Sequence, residues 1–176
     1  MGSDKMACSE NRKVLIKDPK MFYAFWNGQP EFLVGCSGNL RVLNLLKYNS
    51  DIISDDPLTE DPYFNIVNYL IPKYREVLEE NGSHMEYDNG QSEMDSMLII
   101  CHKGKIFTVD FNFGISETFD NFESVGSGEE VAIGAIEVLT KDKSLTPEKI
   151  IEETLKIVSK HIYGVSKEYD ILMIGP

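Results

Sequence analysis

The sequence predicts a layered domain of mixed α and β structure, and three observations carry that prediction. Short β-branched and aromatic runs come in hairpin pairs, apolar residues recur at helical spacing in four separate stretches, and 176 residues can bury one core without disulfide or metal staples. Absorbing this much apolar surface needs sheets with helices on more than one face, so an α/β or α+β arrangement over residues 1–176 as one domain is expected.

The elements follow in order. MGSD at the start reads as the end of a strand turning into a loop, with an acid placed where a fold can use one. KVLIK (13–17) has the β-branching of a strand and is ended by DPK. Met21 to Trp26 and Glu31 to Cys36 flank NGQP, a hairpin signal. After GCSGN, the run LRVLNLLKYN puts Leu40, Leu43 and Leu46 on one helical face. Residues 50–62 are acidic, hold two prolines and read as a solvated connection. A long amphipathic helix is expected next from Phe64, Val67, Ile71, Tyr74 and Leu78, kinked or restarted at Pro72. A polar excursion over 81–95 leads to the strongest hairpin, SMLIICH and GKIFTVDFNF, with Phe107, Val109 and Phe111 on one side. EEVAIGAIEVL reads as a helix with Val131, Ala135, Val138 and Leu139 on its apolar face and Glu129 and Glu130 at its positive end. Thr146 and Pro147 are a cap and first-turn signal for a last helix with Ile150, Ile151, Leu155 and Val158 inward, and YDILMIG closes as a strand.

Composition excludes several classes. Seventeen basic against 29 acidic residues give a formal charge of −12, which repels phosphate backbones, and no basic patch offsets it. Nucleic acid is therefore not an expected partner. No apolar run approaches the length of a membrane span. Cys8, Cys36 and Cys101 lack metal-site spacing and read as free thiols of a reducing, cytoplasmic compartment. His84, His102 and His161 are far apart and read as surface or edge residues. Phe111, Phe113, Phe119 and Phe122 read as core and sheet-face packing. The glycines match neither the phosphate-binding loop nor the dinucleotide fingerprint, so no organic cofactor or metal is implied. Ser37-Gly38 and Ser127-Gly128, each just ahead of a predicted helix, can aim backbone N–H groups at a developing negative charge or be tight turns and nothing more.

Read in order, MGSDKMAC, LIKDPKMF, FLVGCSGN and VGSGEEVAIGAIEVL resemble the β-type proteasome subunit and its bacterial relative, the peptidase that partners an ATP-driven unfoldase ring. More closely, they resemble a small bacterial and phage branch of that N-terminal-nucleophile hydrolase family. The resemblance implies an α+β fold, a four-layer αββα sandwich, here lacking its first strand. It also implies a homo-oligomer, a ring in the family, acting on peptides or unfolded polypeptides, with no cofactor.

In the family the nucleophile is the hydroxyl of an N-terminal threonine whose α-amine serves as base. An α-amine, with a reference pKa near ~8, suits proton transfer at neutral pH. An aspartate and a lysine 16 residues apart support it. Asp4 and Lys20 show that spacing in matching contexts, Gly2-Ser3-Asp4 and Asp18-Pro19-Lys20. By the resemblance Lys20 keeps the nucleophile's surroundings cationic and Asp4 orients it. The turn Gly35-Cys36-Ser37-Gly38 supplies an oxyanion N–H from Ser37 or Gly38, Ser127 supports the terminal amine, and Ser166 matches a later serine.

The threonine itself is expected 13 residues ahead of Met1. Where the family often carries an aspartate assisting the amine, this chain has Lys160 and His161. Two readings stay open: a peptidase whose natural product begins upstream, and a noncatalytic ring, scaffold or peptide-binding relative. Cys8 is a poor substitute nucleophile, because it is internal and lies beyond the acidic position.

Overall fold

The computed structural model describes residues 1–9, 12–86 and 92–175. Its centre is a six-stranded sheet grown from two hairpins. Strands β4 (Met21–Trp26) and β5 (Gln29–Gly38) are joined by Asn27 and Gly28, whose positive φ angles of 48° and 79° give the turn that matches strand twist. Strands β9 (Ser96–His102) and β10 (Lys105–Val109) are joined the same way by Lys103 and Gly104. β5 pairs antiparallel with β9. β11 (Ile115–Glu117) extends one edge, and β6 (Asp51–Ile52), a short strand inside the acidic connection, runs parallel to β4 at the other.

One face of this sheet carries α1 (Leu40–Tyr48) and a second helical stretch. Asn39 caps α1, its Oδ1 accepting from Arg41 N at 2.8 Å. The helix buries Val42, Leu43 and Leu46, while Leu40 stays at the surface. The second stretch is not one uniform helix. It runs as α2 (Pro62–Asn65), a π-helical turn at Ile66–Leu70 and α3 (Ile71–Glu80). Pro72 has no N–H and its ring would crowd the carbonyl four residues back, and the widened turn relieves both. The wider turn also shifts the buried face: Asn65, Ile66 and Leu70 point inward, and Phe64 and Val67, expected inside, are 43% and 36% exposed.

The opposite face meets a smaller second sheet and a last helical layer. β1 (Gly2–Asp4) pairs antiparallel with β12 (Tyr169–Ile171), and this ribbon lies on α5 (Pro147–His161), which packs on α4 (Glu129–Leu139). The order of layers is helix, sheet, sheet, helix, as the αββα expectation requires. Thr146 caps α5 through Lys149 N, as its sequence suggests. The phase expected for α4 is wrong: Ala132 and Ile136 are buried and Val138 is 64% exposed. With Glu137 outward, the two inward positions are one turn apart on the α5 side. β2 (Met6–Ser9) with β3 (Arg12–Leu15) and β7 (His84–Glu86) with β8 (Ser92–Met94) form two peripheral ribbons, the latter within the polar excursion, part of which lies outside the described residues.

Other expectations change as well. Phe111 lies beyond the end of β10 and is half exposed, and Phe119 is fully exposed, so neither belongs to the core. Phe113 does pack against it. His102, expected at an edge, is completely buried, because β9 is an interior strand. The three cysteines are unpaired thiols. Among the described residues no helix is long and apolar enough to cross a membrane, and no group of His, Cys, Asp and Glu is placed to hold a metal.

Candidate functional site

The site grows from the point where β1 passes the start of β4. Lys20 Nζ donates to Asp4 Oδ2 at 2.8 Å, and the two side chains are only 19% and 14% exposed. The carboxylate's other oxygen accepts from the backbone N–H of Met6 at 2.6 Å and of Ser166 at 3.2 Å. Ser166 in turn accepts from Lys5 N through its Oγ and donates to the Glu168 carbonyl. Asp4 is thus held by three donors, one two residues along the chain at Met6 and two from distant segments at Lys20 and Ser166, which fixes where the lysine's charge sits.

The pair lies on a cleft of about 380 Å³ between the large sheet and the α4/α5 layer. Its walls are apolar, from Met21, Ile99, Ile106, Ile136, Ile151 and Val158. Asp4, Lys20, Ser37 and Ser127 all line it. The segment 121–128 closes in over Ser37. Gly126 has φ +106°, and a Cβ there would stand 2.5 Å from Ser37 Oγ, so a side chain is excluded by both conformation and space.

Gly35-Cys36-Ser37-Gly38 is the end of β5 and not a turn, because its residues continue the ladder with β9. This decides which N–H is free to act. Cys36 N donates to Lys20 O, and Asn39 N to Asp95 O on the other side. Alternation along the strand then aims Ser37 N at β9 and Gly38 N back toward the β4 side. Gly38 has φ +128°, and a Cβ there would stand 2.6 Å from Asp95 O and 2.8 Å from the Ser96 α-carbon, so it too must be glycine.

Two residues that line the cleft are invisible as site residues in sequence. Thr154 is buried on the apolar stripe of α5 with no partner for its hydroxyl. Its only sequence signal is a hydroxyl four residues from Ile150 and Val158. Met1 packs its sulfur over Gly35, and its amine donates to Leu172 O at 2.8 Å. Burial lowers that amine's pKa. Met1 and Lys5 bond across to Leu172 and Glu168, so alternation turns the main-chain groups of Gly2 and Asp4 away from β12. Among the described residues no strand pairs with β1 on that outer edge.

The thiols do not supply a nucleophile. Burial pushes the Cys36 thiol up to about 11 despite the Ser96 hydrogen bond and the Lys20 charge. Cys101 is raised by burial as well. Cys8 is exposed, its sulfur 3.9 Å from Gly164 O and outside the cleft. Lys160 and His161 are exposed at the end of α5 and do not line the cleft either.

Known proteins share this fold. No family model matches the chain. The ATP-dependent protease subunit HslV of Aliarcobacter butzleri (strain RM4018) is 32% identical over 82 residues, which are 46% of this chain and 46% of that protein, so the match spans about half the length of the curated relative. Among solved structures, Thiobacillus denitrificans BPH in complex with epoxomicin superposes with a TM-score of 0.75 at 17% identity, covering 96% of this chain and 88% of that one. Eukaryotic HslV from Trypanosoma brucei gives 0.62 at 15% identity with the same coverage, and Anbu, the ancestral β-subunit from Yersinia bercovieri, gives 0.60 at 17%, covering 96% of this chain and 74% of that one. At such identities the structural likeness is one of fold. In fold, and in sequence over about half its length, the chain is similar to the HslV- and proteasome-like proteins.

Proposed function

We propose that this chain is a subunit of a proteasome-like, threonine-type peptidase that degrades unfolded polypeptides or peptides, with its nucleophile on a threonine 13 residues ahead of Met1. The observation that carries the reading is the Lys20–Asp4 ion pair, clamped by two backbone N–H groups at an apolar cleft. In this reading an extended segment preceding Met1 runs along the outer edge of β1 and brings the threonine to Lys20. The lysine ammonium favours loss of the hydroxyl proton to the α-amine, and the alkoxide attacks the scissile carbonyl. An N–H of the Ser37–Gly38 segment stabilises the oxyanion: the strand aims that of Gly38 away from β9, and Ser37 is the one of the two that lines the cleft. Ser127 supports the amine, and Ser166 acts as a positioning residue through Asp4.

The further expectations belong to the same proposal: a cytoplasmic homo-oligomer, assembled as a ring and fed by an ATP-dependent unfoldase; the Aliarcobacter relative's name, an ATP-dependent protease subunit, supports the ATP dependence alone. The exposed Lys160 and His161, in place of an aspartate, favour a second reading as a noncatalytic ring or peptide-binding subunit.

The deciding experiment expresses the gene from its native upstream DNA and determines intact mass and N-terminal sequence, then hydrolysis of fluorogenic peptides and mass labelling by epoxomicin. A mature terminus at threonine that takes the label, with hydrolysis lost in Lys20→Ala, supports the peptidase. A terminus at Met1 or Gly2 with no label and no hydrolysis overturns it and leaves the noncatalytic reading.

A further inference from the structure

We propose that His102 and Asn65 form an acid-released latch fastening the segment 53–66 to the central sheet. The latch lies outside the cleft, at the His102 end of β9 beside Glu31, the opposite end from the one where Ser96 pairs with Gly38.

The hydrogen-bond directions are fixed by groups that have no choice. The His102 Nδ1 atom is 2.8 Å from the Glu31 carbonyl, which can only accept, so Nδ1 carries the proton. In the neutral ring Nε2 is then an acceptor, and it meets Asn65 Nδ2 at 3.0 Å. The Asn65 amide is locked as well. Its Oδ1 accepts from Thr59 N and Thr59 Oγ1, both at 2.9 Å, and its Nδ2 also donates to Thr59 O at 2.9 Å. Both residues are completely buried, and the Phe32 ring covers the imidazole at a centroid distance of 4.2 Å.

Protonation of the ring places an Nε2–H against the Asn65 amide hydrogens, donor facing donor. Rotating the amide does not repair this, because it would set Oδ1 against Thr59 O and Nδ2 against Thr59 N. A buried network that was fully satisfied becomes doubly unsatisfied, and the simplest relief is to release Thr59 and its loop. The charged groups around the ring act from two sides. Glu31, through its carbonyl bond and its charge, favours the cation. Lys103, which donates to Thr59 O at 2.8 Å and pairs with Glu60 at 3.4 Å, opposes it. Desolvation outweighs these and lowers the His102 pKa below its ordinary value. The latch therefore contributes its full stability above the unfolded pKa and loses it as pH falls below that point.

The test is an imidazole titration by NMR together with amide exchange of Thr59, corrected for intrinsic rate, on the whole chain at pH 7.5 and 5.5. If opening exposes a histidine with an ordinary pKa of ~6.5, Thr59 should lose about tenfold protection at pH 5.5, and at both pH values it should exchange faster than Ile100, which the sheet releases only on global unfolding. Glu60→Gln, at an exposed carboxylate, should keep that response, and Asn65→Asp, which offers the imidazolium an acceptor, should reverse it. Protection of Thr59 equal to that of Ile100, unchanged Thr59 protection at pH 5.5, loss of the response in Glu60→Gln, or acid still loosening the Asn65→Asp loop would each overturn the latch.

Discussion

Lys20 and Asp4 show how a single contact can join a fold and a chemistry. The pair is partly buried and the carboxylate keeps two backbone donors, so removing either partner strands a charge that the site was built around. Asp4→Asn and Lys20→Met should each cost about 3 kcal/mol in urea unfolding, and the double variant should cost clearly less than the sum. Additive losses would show that the two groups do not act as a pair. The thiols make a second residue-scale prediction. With Cys36 held near 11, its thiol is protonated at pH 8, so iodoacetamide should modify exposed Cys8 in the native protein and reach Cys36 only after unfolding.

At the scale of elements, the π-helical turn decides what faces the core. Spacing of three and four residues places Phe64 and Val67 inward, but the extra residue in the turn rotates that end and brings Asn65 and Ile66 inside. Ile66→Ala should therefore cost about 2–5 kcal/mol, while Val67→Ala should cost less than about 1. A regular helix through Pro72 would reverse the order, with Val67→Ala costing more than Ile66→Ala. The same element supplies Asn65 to the latch, so the shift of face that hid Val67's role also created a polar anchor on the sheet. The Gly35–Gly38 segment carries a parallel lesson: its glycines suggest a turn, yet pairing with β9 holds it extended and aims successive N–H groups to opposite sides.

For the whole molecule, the cleft is the feature that stands apart. An open cleft of about 380 Å³ lies between the two halves, with an unpartnered Thr154 hydroxyl on its wall and, among the described residues, no strand on the outer edge of β1. If an upstream segment occupies this space, a chain carrying it should melt several degrees higher by calorimetry than one starting at Met1, since filling apolar space removes a cavity penalty. Equal melting temperatures would argue that the segment lies elsewhere.

Local chemistry decides a large part of this protein and is readable in the chain. Asn27-Gly28 and Thr146-Pro147 before α5 act within a few residues of themselves, so that turn and that helix start could be read directly. Alternation and helical periods likewise indicated the layers, and the 16-residue spacing of Asp4 and Lys20, in contexts that resemble a family's, indicated the pair. Tertiary structure decided what depends on distant partners. The Ser166 N–H on Asp4, the Gly126 approach to Ser37, the inward face of α4 and the burial of His102 all arise between segments far apart in sequence. Periodicity specifies that a helix or strand has a buried side. Only the neighbour packed against it determines which side that is.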